Sequence, residues 1–238
     1  MLRHEGKKRT FVHNMQLAAM LSFVAGIVNV SGVLALGILT TNLTGHFAFF
    51  SEYFSQRYYH LAWAALVFIL VFFSGAWLSA LLIELFKKKN VVVSYVLPLF
   101  IEVVLLTIVS VAVPPYAHKQ LLAVMLLFAM GMQNALVTRV SNAVVRTTHL
   151  TGLFTDLGII CAQLLFRRRY SNILNKLMHE FTLKLAIIIC FFLGCTLAGV
   201  LYSKFLLKTL WIAIVMLIIA MLFDHLKLTF YQLRRRMK

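Results

Sequence analysis

The residues best suited to chemistry fall in two copies of one motif. Thr40-Thr41-Asn42-Leu43-Thr44-Gly45-His46-Phe47 and Thr147-Thr148-His149-Leu150-Thr151-Gly152-Leu153-Phe154 share six of eight positions, T-T-x-L-T-G-x-F. Threonine and glycine crowd there at an interruption in apolar sequence. Glycine tolerates a backbone break, and a threonine hydroxyl can cap the free N–H groups of a helix that starts just after it. Thr44-Gly45 and Thr151-Gly152 therefore read as N-termini of two half-helices, one from each side. Such ends offer free donors and positive dipole, which suit an anion or a polar substrate. The plainer alternative is a helix–loop–helix corner satisfied by its own threonines. Irregular backbone at lipid depth is tolerated mainly where it lines protein or a cavity, which favours the substrate reading. On that reading the candidate site comprises Asn29, Thr41, Thr44, Gly45, His46, Asn134, Thr148, Thr151 and Gly152.

Other polar residues at depth extend the set. Gly26-x-x-Asn29 precedes the first motif as Gly131-x-x-Asn134 precedes the second. Each asparagine could bind a solute or bond across helices. Glu102 lies near the middle of an apolar run, where a carboxyl is expensive. It reads either as a proton or cation coupling site or as a neutral carboxyl bonded to a neighbouring helix. Asp156, one turn after Thr151-Gly152, could line the same cavity or favour a helix N-terminus. His46 and His149 could carry protons. As metal ligands they lack partners at a recognised spacing. Arg139 and Arg146 belong to a loop, or draw an anion to the inner mouth. No catalytic constellation, metal site or cofactor motif is present, so an enzyme is not expected.

Long apolar helices must position these residues. The 238 residues are 62% hydrophobic and only 13% charged, with a mean hydropathy of +0.91. That apolar excess cannot be buried in one soluble core of this length and must face lipid. The balance of 23 basic against 7 acidic residues would suggest nucleic acid on a soluble chain. Here the basic residues sit in short clusters between apolar runs, as cytoplasmic loops do, which excludes nucleic acid. Cys161, Cys190 and Cys195 lie in apolar stretches and suggest neither disulfide nor zinc.

A crossing helix needs about 20 apolar residues. Six candidates qualify: Gln16–Leu39, Leu61–Phe86, Val91–Val113, Gln120–Val140, Leu183–Leu206 and Thr209–Phe223. Leu43–Phe54 and Leu150–Phe166 are read as non-crossing half-helices. With six crossings, the basic N-terminus, Lys87-Lys88-Lys89, Arg167-Arg168-Arg169 and the basic tail all fall on one side, the cytoplasmic one. Pro114-Pro115 then marks an outer turn. The expected fold is an all-α, polytopic transmembrane helix bundle. It comprises a basic N-terminus (1–15), repeat 1 (16–113), an outer turn (114–119), repeat 2 (120–226) and a basic cytoplasmic tail (227–238). The clusters are expected to meet anionic lipid heads.

Each repeat holds three spans and a half-helix. An odd number starts the second copy on the opposite face, so the copies are expected to have inverted topology. Secondary transporters use that arrangement, with a site near the midplane. The succession of G-x-x-N, T-x-L-T-G-x-F, Gly131-Met132-Gln133-Asn134 and T-T-x-L-T-G resembles the YoaK-like membrane proteins (domain of unknown function 1275), over about Gln16 to Phe223. The resemblance implies a bacterial inner-membrane location and supplies no substrate. Position 29 is often acidic and position 46 often asparagine in that family, against Asn29 and His46 here. The function expected is a small secondary transporter or permease for a polar or anionic solute, working by alternating access. A homodimer is a candidate for completing its path. The alternative is a non-transport scaffold or a subunit of a membrane complex.

Overall fold

The computed structural model describes residues 10–88, 91–114, 116, 118–166 and 171–222. The basic N-terminus through Arg9, Lys89, Pro115, Arg167-Arg168-Arg169 and the tail with Asp224 lie outside the described residues. The helices in chain order are α1 (Phe11–Leu36), α2 (Leu43–Ser55), α3 (Tyr59–Lys87), α4 (Val91–Ser110), α5 (Lys119–Val140), α6 (Leu150–Phe166) and α7 (Ser171–Phe205). A 3-10 turn at Leu206–Thr209 follows, with Leu206 at a left-handed φ of 51°, and leads into α8 (210–222). Among the described residues five stretches are long and apolar enough to cross a membrane. They are Phe11–Leu36, Tyr59–Lys87, Val93–Ser110, Lys119–Val140 and Ile173–Leu222, the last containing the 3-10 turn. The chain is thus an apolar helical bundle of the multi-pass membrane type.

Local chemistry sets the helix ends. Thr10 and His13 form a capping box at the start of α1. Gly37 stops α1 in the left-handed conformation, φ 74°, with its N–H on the Val33 carbonyl. The second break has no such glycine. After Val140 the chain turns through Asn142 and Ala143, at φ 55° and 63°, around a hydroxyl of Ser141 that accepts from the Val145 N–H at 3.0 Å. Two helices run further than apolar content suggests. α7 begins at Ser171, twelve residues before the expected Leu183, and α1 begins at Phe11 rather than Gln16. The two extensions brace each other, since Phe11 stacks on His179 with centroids 4.5 Å apart and Leu177 is buried. Hydropathy marks where a helix meets lipid and is silent on where it continues past it.

The bundle is built on two close helix pairs, α1 with α7 and α3 with α5. Each is locked by the same reciprocal device. A Cβ added at Gly26 would collide with the Phe191 carbonyl, and one at Gly194 with the Phe23 carbonyl. Likewise Gly75 meets the Phe128 carbonyl and Gly131 the Phe72 carbonyl. The pattern F-x-x-G thus occurs four times, in reciprocal pairs, and lets backbones approach as small residues do in membrane bundles. The contacts also give direction. Phe11 lies by His179 and Gly26 by Phe191, so α1 and α7 run the same way. Phe72 lies by Gly131 and Glu84 pairs with Arg139, so α3 and α5 also run together. Gln133 on α5 donates to the Leu21 carbonyl on α1 at 2.7 Å, while Gly32 lies against Leu126. α1 and α5 are therefore antiparallel. α4 packs on α3 and α5, carrying Pro98 in its interior. The short helices lie outside, α2 on α3 and α6 on α7.

Candidate functional site

The site begins with how each break is pinned. After Gly37 the chain doubles back along α1 until Thr40 and Thr41 reach Asn29. The Asn29 Oδ1 accepts four hydrogen bonds, from the Thr40 and Thr41 N–H groups at 3.2 and 3.3 Å and from their hydroxyls at 3.5 and 3.0 Å. In the second repeat Asn134 Oδ1 accepts from the hydroxyls of Thr147 and Thr148 at 3.4 and 2.8 Å. The repeated T-T pair and the repeated asparagine are thus two halves of one knot. Each knot sets the point at which a short helix starts.

The cap itself differs from the sequence expectation. Asn42, not Thr44, caps α2, with its Oδ1 accepting from the Gly45 N–H at 3.1 Å. Thr44 lies in the first turn, one residue past the helix start. Asparagine is as good a cap as threonine, and its position just before the helix is the signal that would have found it. In the second copy His149 holds the Asn42 position, and its carbonyl accepts from the Leu153 N–H at 3.1 Å.

Both knots open on one cavity of about 910 Å³. Its walls include Asn29, Thr41, Thr44 and Gly45 from the first repeat and Asn134, Thr148 and Thr151 from the second, with Phe72 and Phe191 of the close helix pairs. Seven of the nine residues assigned from sequence therefore line a single space. The other two do not. His46 is buried beside it, bonded through Nε2 to the Leu39 carbonyl at 2.7 Å and set edge-on to Phe49 and Phe68. Gly152 lines a neighbouring pocket of about 490 Å³ with Asp156, where Lys184 reaches Asp156 at 3.4 Å and Glu180 at 3.9 Å. Glu102 does not line the cavity. It is fully buried on α4, and among the described residues neither oxygen has a hydrogen-bond partner. Arg146, left between two roles by the sequence, lines both the cavity and the neighbouring pocket, as does His149.

The family model described as "Protein of unknown function (DUF1275)" matches residues 17–223. The chain belongs to that family. Within this DUF1275 member, the match covers both knots, both short helices and the four F-x-x-G segments. No curated protein and no solved structure matches the chain.

The repeats are alike in geometry and unlike in chemistry. The 490 Å³ pocket lies at the Arg139 end of the bundle and shares Arg146 and His149 with the cavity. A pocket of about 270 Å³ lies at the Lys119 end, lined by His46, Phe49, Tyr53, Leu61 and Ala65. Counting from the T-T pairs, Phe49 corresponds to Asp156. Counting from the F-x-x-G segments, Leu61 corresponds to Glu180 and Ala65 to Lys184. Equivalent positions thus line a charged vestibule at one end and a largely aromatic and aliphatic pocket at the other. That second pocket shares no lining residue with the cavity.

Proposed function

We propose that this chain is a small permease in which two inverted three-span repeats move around the central cavity by alternating access. The observation that carries the reading is the convergence of both asparagine–threonine knots on one polar space. Broken helices at bundle depth are tolerated where they line a cavity, and paired broken helices from inverted repeats mark transporter sites. The opposed directions of α1 and α5 support the inversion, with α1, α3 and α4 in one copy and α5, α7 and α8 in the other. The 3-10 turn at Leu206–Thr209 supports six crossings, because it lets α7 and α8 cross separately. The Arg139 end carries Lys87 and Lys88, which assigns it to the cytoplasm by the positive-inside rule. The cavity shares Arg146 and His149 with the vestibule at that end and no lining residue with the His46 pocket at the other, which supports reading it as the inward-facing member of an alternating pair.

Cysteine accessibility in intact cells tests the reading. Cys161, Cys190 and Cys195 are replaced and single cysteines are placed at Thr44 or Thr151. Both are expected to react with a small polar thiol reagent, at rates changed by transported solute. A folded protein labelled at Lys88 but at neither of these positions would mean a dry bundle, and would return the chain to the scaffold class.

A further inference from the structure

We propose that the solute is a small monoanion and that Arg146 is the residue that selects it. This deepens the permease reading and rests on it for transport, although not for binding. The first ground is charge. Arg146 is the one charged side chain lining the cavity, and among the described residues no carboxylate pairs with it. The vestibule's other cation, Lys184, is held by Asp156 and Glu180. Among the described residues the cavity wall itself carries no acid; the two carboxylates of the adjoining vestibule, Asp156 and Glu180, both sit on Lys184.

The second ground is the sense of the hydrogen-bonding groups. Asn29, Asn42 and Asn134 all have their amide oxygens occupied by donors of their own chain. For Asn29 and Asn42 the donors include backbone N–H groups, which cannot act as acceptors, so the amide orientation is fixed. What remains on Asn29 and Asn42 is an NH2 group, and among the described residues neither has an acceptor. Asn134, bonded only to hydroxyls, keeps one edge of its amide buried without a partner. Unmet polar groups at a cavity wall call for a polar partner from outside the chain. A wall whose amide oxygens are occupied and whose amide NH2 groups are free favours an acceptor-rich solute, and the Arg146 charge makes that solute an anion.

The third ground is the repeat. Arg146 precedes Thr147-Thr148 as Leu39 precedes Thr40-Thr41, and both line the cavity. Leucine serves the architecture of this corner in one copy, so the arginine of the other answers to the solute. One cation on the cavity wall matches one negative charge.

The test uses the full chain, purified and reconstituted in liposomes for flux and in lipid nanodiscs for thermal stability. The probes are nitrate and lactate as monoanions, sulfate as dianion and erythritol as neutral polar solute. Nitrate or lactate is expected to cross and to raise the unfolding temperature saturably, ahead of sulfate and erythritol. Arg146→Leu, which places the residue found at position 39, is expected to weaken both effects by about tenfold or more, and Arg146→Lys by less. If erythritol crosses, no anion does, and Arg146→Leu changes nothing, the monoanion proposal falls while the permease stands. Anion-dependent stabilisation lost in Arg146→Leu, without flux of any probe, keeps the anion site and removes the permease. If no probe binds or crosses, both fall. The ranking of probes on the unaltered protein decides the matter even if the leucine variant fails to fold.

Discussion

Asn29 and Asn134 occupy the same place in the two repeats and do unequal amounts of work. Asn29 accepts from two backbone N–H groups and two hydroxyls, whereas Asn134 accepts from hydroxyls alone. Removing the acceptor at Asn29 leaves two backbone N–H groups of the break without their protein partner. Hydroxyls can rotate to another partner. Asn29→Ala is therefore expected to lower stability by about 1–3 kcal/mol, and Asn134→Ala by less. Thermal unfolding of both variants in one detergent checks the order, and equal losses would contradict it. The pairing of the two asparagines was readable in the sequence, because G-x-x-N recurs ahead of each T-T. Their partners were not. Nothing in Asn29 says that the chain will reverse at Gly37 and return eleven residues later. The same limit misplaced His46, which looked like a site residue by its distance from Thr44-Gly45. Its ring instead bonds to the Leu39 carbonyl and lines the separate pocket at the Lys119 end.

At the scale of elements, stability rests on the four glycines at which helix backbones touch. A methyl group at Gly75 or Gly131 would push α3 and α5 apart along their length, because it meets carbonyl and not a flexible side chain. Gly75→Ala is expected to destabilise by about 1–3 kcal/mol through overpacking. Gly158, on exposed α6 with nothing within 4 Å of an added Cβ, is the internal control. There alanine is expected to stabilise by up to about 1 kcal/mol through helix propensity. Unfolding measurements that showed the same sign for both would remove the packing argument. The second chain break offers the converse test. Ala143 is held at φ 63°, a conformation that costs an L-residue about 1–2 kcal/mol. Ala143→Gly is expected to raise the melting temperature, and a fall would mean the break is not strained. The short helices were almost fully legible: α6 has the expected bounds Leu150–Phe166, and α2 ends one residue beyond Phe54. The reciprocal F-x-x-G locks were half legible. The Phe72 and Phe191 segments stand out as a repeat, but Phe23 and Phe128 gain meaning only once α1 is seen against α7 and α3 against α5.

For the molecule as a whole, the two repeats share a frame and diverge in the residues that face it. The first copy places Phe49, Leu61 and Ala65 where the second places Asp156, Glu180 and Lys184. The two ends of that frame differ in kind, largely aromatic and aliphatic at one and ion-paired at the other. Glu102 lies apart from both, on the buried face of α4 with Tyr95, Leu99 and Leu106. An ionised carboxylate there costs several kcal/mol unless a proton or cation accompanies it. If alternating access is tied to a proton, Glu102 is the group that must take it up and release it, because Asp156 already has Lys184. The coupling reading therefore makes a divided prediction for Glu102→Gln. Glutamine keeps the shape and the capacity to donate a hydrogen bond, so the fold should lose no more than about 1 kcal/mol. Uptake driven by a pH gradient across the liposome should disappear, while exchange of labelled for unlabelled solute, which needs no net proton movement, should continue. Gradient-driven uptake that survives in Glu102→Gln would detach the residue from transport and leave it a structural carboxyl. Loss of uptake and exchange together, in a protein that still unfolds at the normal temperature, would mean that α4 moves with the solute and is not merely a proton carrier beside it.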